Sequence, residues 1–153
     1  MVSTDPSPDA QAVAVAAGRA MFERDRAVQS LGVELVDIGP GFARTAMTVG
    51  EDMVNGHGTC HGGVTFLLAD AAFAYACNSH NRTAVARSAS IEFAAAARVG
   101  DRLTATAEER NVTGRTGVYD VEVTDQSGRT IALFRGVSTR IKGEVVGDPT
   151  ERS

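Results

Sequence analysis

Residues 64–79 read VTFLLADAAFAYACNS, a stretch rich in helix-forming residues and apolar on every face that a helix would present. A helix that is apolar all round is normally buried inside its domain. Asp70 is the only acidic or basic residue within the stretch. The stretch therefore predicts a buried central helix that carries one carboxylate.

Segments typical of strands surround this helix in the sequence. Before it, residues 31–38 and 42–49 are separated by the turn signal Gly39-Pro40-Gly41, which predicts a hairpin. After it come four strand-like segments, at residues 84–93, 102–109, 117–125 and 130–141. In the clearest of them, apolar and polar residues alternate, as they do in half-buried antiparallel strands. A further helix is expected from Ala10 to Arg26, capped by Asp9. The order predicts an α+β domain with an antiparallel sheet wrapped around one long central helix.

Length and charge limit the kinds of protein that this chain can be. The 153 residues suit one domain, expected over residues 10–142, with a disordered lead at 1–9 and a disordered tail at 143–153. The net charge of −4, with no basic run longer than a pair, argues against nucleic acid as a partner. No secretory signal and no apolar stretch long enough to span a bilayer is present, so a cytoplasmic protein without membrane contact is expected.

Asp70 is the residue in the predicted helix that most needs a chemical explanation. Burying a carboxylate without a partner is costly, and lone acids on apolar segments are enriched at functional sites. Such a carboxylate can act as a general base on water or attack an acyl carbon directly. The structural alternative is that Asp70 lies at an exposed edge or bonds to backbone groups.

The His61-Gly62-Gly63 sequence precedes the helix and suggests a site for a carbonyl oxygen. The first backbone N–H groups of a helix have no intrahelical acceptor and lie at the positive end of its dipole. The N–H of Gly62 is thus a candidate oxyanion-hole donor. A tight turn that needs glycine only for its conformation is the alternative.

Helix geometry constrains how Asp70 and Gly62 can cooperate. They are eight residues apart, on the order of 12 Å along one helix. A base and an oxyanion donor must both be close to one carbonyl group. If both residues are catalytic, a second, antiparallel copy of the chain must supply one of them, which predicts a two-fold dimer with two shared sites.

Metal chemistry and thiol chemistry have weaker support in the sequence. His57, Cys60 and His61 are three soft ligands in one short loop, without an evident fourth, so no metal is expected. Cys60 beside His61 is interpreted as a structural thiol, since neighbouring residues rarely face each other productively. With Cys77, it is one of two cysteines, for which no disulfide is expected.

Residues 55–79, NGHGTCHGGVTFLLADAAFAYACNS, resemble the PaaI-type hotdog-fold thioesterases associated with phenylacetate breakdown. The segments AMFERDRAVQSLGVEL, VGDRLTATAEE, GRTGVYDVEV and IALFRGVSTRIKG are also similar to that family, so the resemblance covers roughly residues 20–143. It implies a hotdog fold and hydrolysis of an acyl-CoA thioester, of an aryl-acetyl or related acid, without a cofactor. It also implies dimers that assemble into tetramers.

The resemblance assigns roles to individual residues. Asp70 matches the catalytic carboxylate and Gly62 the backbone donor, while His61 and Asn55 match the flanking polar positions. Gly63 and Ser88 are included as substrate-binding residues. Some relatives carry an assisting serine on the following strand; Ala86 is a candidate for that position here, and Ser88 and Ser90 are expected to share its strand parity. Three cations match groups near the coenzyme A phosphates, although each would also suit a solvated surface: Arg115, Arg140 and Lys142.

Two other functions compete with the thioesterase hypothesis. A non-catalytic acyl-CoA sensor on the same fold would more often carry a DNA-binding segment, and none is visible in the sequence. A dehydratase on a related fold would use a differently arranged histidine and acid, for which this chain lacks an obvious match.

Overall fold

Three α-helices and one six-stranded sheet make up residues 8–147, the part of the chain that the structure, a computed structural model, describes. The helices are α1 (Pro8–Arg24), α2 (Arg26–Ser30) and α3 (Gly62–Asn78), with a short 3-10 turn at Glu51–Met53. The strands are β1 (Glu34–Gly39), β2 (Phe42–Thr48), β3 (Ala84–Phe93), β4 (Arg102–Thr113), β5 (Thr116–Thr124) and β6 (Thr130–Arg140). None of these helices is long and apolar enough to cross a membrane.

The sheet is antiparallel throughout and has the strand order β1-β2-β4-β5-β6-β3. It curves around α3, which contacts all six strands and buries most of its side chains against them. The predicted α+β architecture, a sheet wrapped around one long central helix, is confirmed. The order also leaves β3, which directly follows α3 in the chain, as an edge strand with most of its residues exposed.

Close packing holds α3 against the sheet. The Thr45 hydroxyl on β2 donates to the carbonyl oxygen of Leu68 at 3.0 Å, and both residues are fully buried. On β6, Gly136 has no side chain, so the ring of Phe73 can pack directly on the strand. A Cβ at this position would lie 2.7 Å from three ring carbons of Phe73. The absence of a side chain at 136 thus sets how closely the helix approaches the sheet.

The N-terminal helical region differs from its prediction at both ends. One helix was expected from Ala10 to Arg26, but α1 ends at Arg24 and α2 begins after Asp25, whose carboxylate accepts the N–H of Val28 at 3.3 Å. Aspartate is a preferred N-cap residue, so it starts a new helix here. Residues 8 and 9 belong to α1, which corrects the predicted disordered lead; residues 1–7 lie outside the described part.

The C-terminal segment is also more ordered than predicted over residues 143–146. The carbonyl oxygen of Gly143 accepts the N–H of Thr83, and the side chain of Asn81 forms two hydrogen bonds with the backbone of Val146. These contacts tie the segment to the loop after α3 and correct the prediction of disorder there. Residues 148–153 lie outside the described part.

Candidate active site

His61 fixes the N-terminus of α3. It is the N-cap residue, and its carbonyl oxygen accepts the N–H groups of Val64 at 2.9 Å and Thr65 at 3.2 Å. Its Nδ1 accepts the N–H of Gly63 at 2.9 Å. An accepting ring nitrogen carries no proton, so the neutral ring has its proton on Nε2. Gly63, predicted as a substrate-binding residue, therefore has its N–H already occupied within the turn.

The N–H of Gly62 is different because it has no acceptor within residues 8–147. Gly62 is the first residue of α3, where the partial positive charge of the helix dipole is concentrated. A carbonyl oxygen placed there would receive a hydrogen bond and a favourable field as negative charge develops on it. The position of Gly62 is compatible with the predicted role as oxyanion donor, which stays a prediction.

Gly62 and Asn55 line the same cavity, of about 480 Å³. The remaining lining residues come from the loop before α3, from α3 itself, from the chain around the end of β3, and from β6: Thr59, Cys60, Thr65, Phe93, Ala94, Ala95, Ala96, Ala97 and Ile131. Most of these side chains are small. The cavity thus offers a space lined by both polar and apolar groups, next to the N–H of Gly62, which has no acceptor within residues 8–147.

Asn55 organises the loop that leads to the helix. Its Oδ1 accepts the N–H groups of His57 at 2.9 Å and Thr59 at 3.3 Å, and its Nδ2 donates to the Thr59 hydroxyl at 3.1 Å. An amide nitrogen has two hydrogens to donate, so one N–H of Asn55 remains for a group in the cavity. The structure therefore gives Asn55 a role in shaping the loop beside the predicted role in orienting substrate or water.

Asp70 is half-buried in the middle of α3 and accepts no hydrogen bond from the described residues. Burial raises the pKa of its carboxyl, and the negative charge of Asp25 raises that pKa further. Asp25 is held in place by two contacts, since it caps α2 and accepts the hydroxyl of Tyr75 at 3.0 Å. A carboxylate without a partner and with a raised pKa has the character of a general base or nucleophile.

The face of α3 that carries Asp70 is incompletely covered. Gly63 is exposed, and Leu67, Asp70 and Ala74 follow it as half-exposed residues at spacings of three or four, which places them on one stripe of the helix. Asp70 does not line the cavity at Gly62. A single chain therefore does not bring the two residues to one carbonyl group, as the helix geometry predicted.

A β-bulge determines where the serines of β3 lie. The register pairs Ala86 with Ser138 and then Ser88 with Val137, so Arg87 is an extra residue. On β6, Gly136 and Ser138 face the core, so Val137 between them faces the other side of the sheet. Ser88 pairs with Val137 and therefore lies on the sheet face that points away from α3. Ser88 is therefore not brought to the cavity or to Asp70, whereas Ala86 faces the helix side.

Four cations surround a separate pocket of about 470 Å³ beyond the C-terminal end of α3: Arg82, Arg115, Arg140 and Lys142. None of the four forms an ion pair with another described residue. The structure thus brings together the three predicted phosphate-binding cations. It adds Arg82, which no sequence motif marks and which reaches the pocket only because β3 pairs with β6.

The thiols lack the features of catalytic cysteines. Burial raises the pKa of Cys60, whose Sγ lies 3.6 Å from the Thr65 hydroxyl, and burial raises the pKa of Cys77 to about 12. A protonated thiol is a poor nucleophile. Both cysteines are free, and within residues 8–147 no group of three or more His, Cys, Asp or Glu side chains could hold a metal ion.

Sequence comparison identifies relatives along most of the chain. Residues 57–132 match the thioesterase superfamily. The acyl-coenzyme A thioesterase PaaI of Escherichia coli (strain K12) is 49% identical over 129 residues, which cover 84% of this chain and 92% of that protein.

Solved structures give the same result for the fold. The structure of the E. coli PaaI protein from the phenylacetic acid degradation operon matches with a TM-score of 0.86 and 47% identity, covering 88% of this chain and 97% of that one. A Streptococcus mutans UA159 protein bound to acetyl-CoA matches with a TM-score of 0.70 and 25% identity, covering 73% of this chain and 90% of that one. The chain belongs to the thioesterase superfamily and, within it, to the PaaI-type thioesterases of the hotdog fold.

Proposed function

We propose that the protein hydrolyses acyl-CoA thioesters to a free acid and coenzyme A, with Asp70 as the catalytic carboxylate. The observation that carries the proposal is that one helix holds both the N–H of Gly62 and the half-buried carboxylate of Asp70, neither of which has a hydrogen-bond partner within residues 8–147. The identity with the E. coli acyl-coenzyme A thioesterase supports the same reaction. The E. coli PaaI protein comes from the phenylacetic acid degradation operon, which favours an aryl-acetyl or related acyl group as the substrate here.

The chemistry follows from what the two groups can do. The thioester carbonyl oxygen accepts the N–H of Gly62, which stabilises the negative charge that develops on it. Asp70 has two routes: it removes a proton from the water that attacks the carbonyl carbon, or it attacks that carbon itself and water then cleaves the acyl intermediate. In both routes the C–S bond breaks and coenzyme A leaves as a thiol. Neither route requires a metal or another cofactor.

The site proposed is shared between two subunits. In an antiparallel pair of α3 helices, Asp70 of each chain lies opposite the partner helix, and the half-exposed stripe with Leu67 and Ala74 becomes covered. The edge strand β3 is ten residues long and leaves Val85 44% exposed, and long unprotected edges invite pairing with another strand. These features support a homodimer. The family resemblance extends the proposal to a tetramer of two such dimers in the cytoplasm.

The release of coenzyme A thiol tests the proposed function. A disulfide reagent that develops colour with free thiols would be mixed with the purified protein and a panel of acyl-CoA esters. Continuous release over many turnovers supports the enzyme. Tight binding of an acyl-CoA without turnover contradicts it and favours the acyl-CoA sensor.

The pH dependence of the reaction is expected to depend on Asp25. Asp70 must be ionised to act, so kcat/KM rises with pH through its pKa in the free enzyme. The charge of Asp25 raises that pKa, so Asp25→Asn should move the acidic limb of the kcat/KM profile to lower pH. The exposed control Glu23→Gln, which removes one charge from α1, should leave the limb in place. An unmoved limb in Asp25→Asn would show that its charge does not act on Asp70.

The pocket of four cations is proposed to hold the phosphates of coenzyme A. The acetyl-CoA bound to the S. mutans relative supports this class of ligand. The double variant Arg140→Ala/Lys142→Ala should raise KM several-fold more than it lowers kcat, because contacts remote from the thioester bind ground state and transition state alike. Added salt should weaken the wild type in the same way. The control is the double variant Arg19→Ala/Arg26→Ala, at exposed positions on α1 and α2. Equal kinetics in both double variants would show that the pocket cations do not bind the substrate.

A further inference from the structure

Phe93 is the last residue of edge strand β3, and its ring lies against the backbone of Gly62. A Cβ built on Gly62 would be 3.0 Å from Cζ and 3.2 Å from Cε1 of the Phe93 ring. Phe93 as a residue is nevertheless 57% exposed. It thus borders the candidate oxyanion donor on one side and open space on the other.

The position of this ring is set by the sheet. Phe93 pairs with Ala132 on β6, and directly afterwards the N–H groups of Ala94 and Ala95 both donate to the carbonyl oxygen of Ile131, at 2.8 and 3.2 Å. The backbone at Phe93 is therefore held by the ladder, although the side chain projects from the end of an edge strand. Its location beside Gly62 is a consequence of strand register.

Phe93 is also the only aromatic residue among those that line the cavity at Gly62. Apart from Ile131, the other lining side chains are no larger than Asn55, and four of them are alanines. A cavity with one aromatic wall and otherwise small side chains suits a flat apolar group that lies on the ring. Because Gly62 borders the same ring, a group held by its carbonyl oxygen at the Gly62 N–H has its adjacent carbon atoms next to Phe93.

We propose that Phe93 is a specificity-determining residue, whose ring packs on the acyl group while Gly62 holds the thioester carbonyl, and that it favours acyl groups with an aromatic ring. This inference rests on the proposed thioesterase function. Aromatic pairs gain stabilisation beyond the area they bury, through offset or edge-to-face contact. A straight acyl chain gains only the burial of its apolar surface, so the ring of Phe93 should separate the two classes of substrate.

The test compares kcat/KM for phenylacetyl-CoA and hexanoyl-CoA. Phe93→Leu keeps an apolar side chain without a ring and should lower the ratio of the two values by about tenfold. Phe93→Tyr keeps the ring and should leave the ratio within about twofold of the wild type. Leu133→Ala, which truncates another half-exposed side chain on the outer face of the sheet, should not change it.

The outcomes separate this inference from the function on which it rests. If the wild type releases thiol from neither substrate, the thioesterase proposal fails. If the wild type is active and Phe93→Leu leaves the ratio unchanged, or lowers both values by one factor, the specificity role of Phe93 is wrong and the thioesterase proposal stands.

Discussion

Asp70→Asn is expected to lower kcat for acyl-CoA hydrolysis by at least about a hundredfold, the range of rate loss when a general base is removed. Asparagine has nearly the same shape as aspartate but can neither accept the proton of the attacking water nor attack the acyl carbon. KM should change much less, because the carboxylate acts on the reacting atoms and not on the bulk of the substrate. Steady-state thiol release measures both constants.

Asp70→Asn is expected to remove the carboxylate without destabilising the fold. The carboxylate of Asp70 accepts no hydrogen bond from residues 8–147, and burial disfavours its charged form and so raises its pKa. Asp70→Asn should therefore leave the midpoint of thermal unfolding equal to that of the wild type or higher. Asp52→Asn, at an exposed position in the 3-10 turn, is the matched control and should keep full activity. Near-normal turnover in Asp70→Asn would mean that Asp70 is structural and that the mechanism is wrong.

The second large effect is the return of activity when two inactive variants share a dimer. Asp70→Asn removes the carboxylate, and Gly62→Val places a side chain where the substrate carbonyl should approach the backbone N–H. The structure supports this obstruction, since the space above Gly62 is already bounded by the ring of Phe93. Each variant alone should be inactive because each of its sites contains one lesion.

Refolding the two variants together at equal amounts should restore roughly a quarter of wild-type activity. Random pairing of identical interfaces gives about half heterodimers. Each heterodimer has one site with both lesions and one site with neither, so about one site in four is intact across the mixture. Mixing the folded variants without subunit exchange is the control and should restore nothing.

The sequence was sufficient for the central helix and for the loop that precedes it. The apolar stretch at residues 64–79 predicted α3, which spans Gly62–Asn78, because a helix that is apolar on all faces is normally buried in the core. Asn55 and Gly62 were predicted to share a site, and they line one cavity. The position of Gly62 at a helix start is predicted by the local sequence pattern, whereas the place of Asn55 in the site was implied by the family resemblance. Their catalytic roles, with that of Asp70, remain predictions.

Features that depend on contacts between distant segments could not be predicted in this way. The bulge at Arg87 turns Ser88 to the outer face of the sheet, and an extra residue in a ladder leaves no signal in strand periodicity. Arg82 joins the pocket of four cations, and Phe93 reaches Gly62, only through the pairing of β3 with β6. The sequence predicted Asp25 to lie inside one long helix. In the structure it caps α2 instead, and its charge acts on Asp70.

If one site uses Asp70 of one chain and Gly62 of the other, an isolated heterodimer of the two inactive variants should be active. Tagging the Asp70→Asn and Gly62→Val chains differently allows the mixed dimer to be purified through both tags in turn, and its composition to be confirmed by mass. We expect about half of the wild-type kcat per dimer, from its one intact site. A pure heterodimer no more active than either parent variant would contradict the shared site.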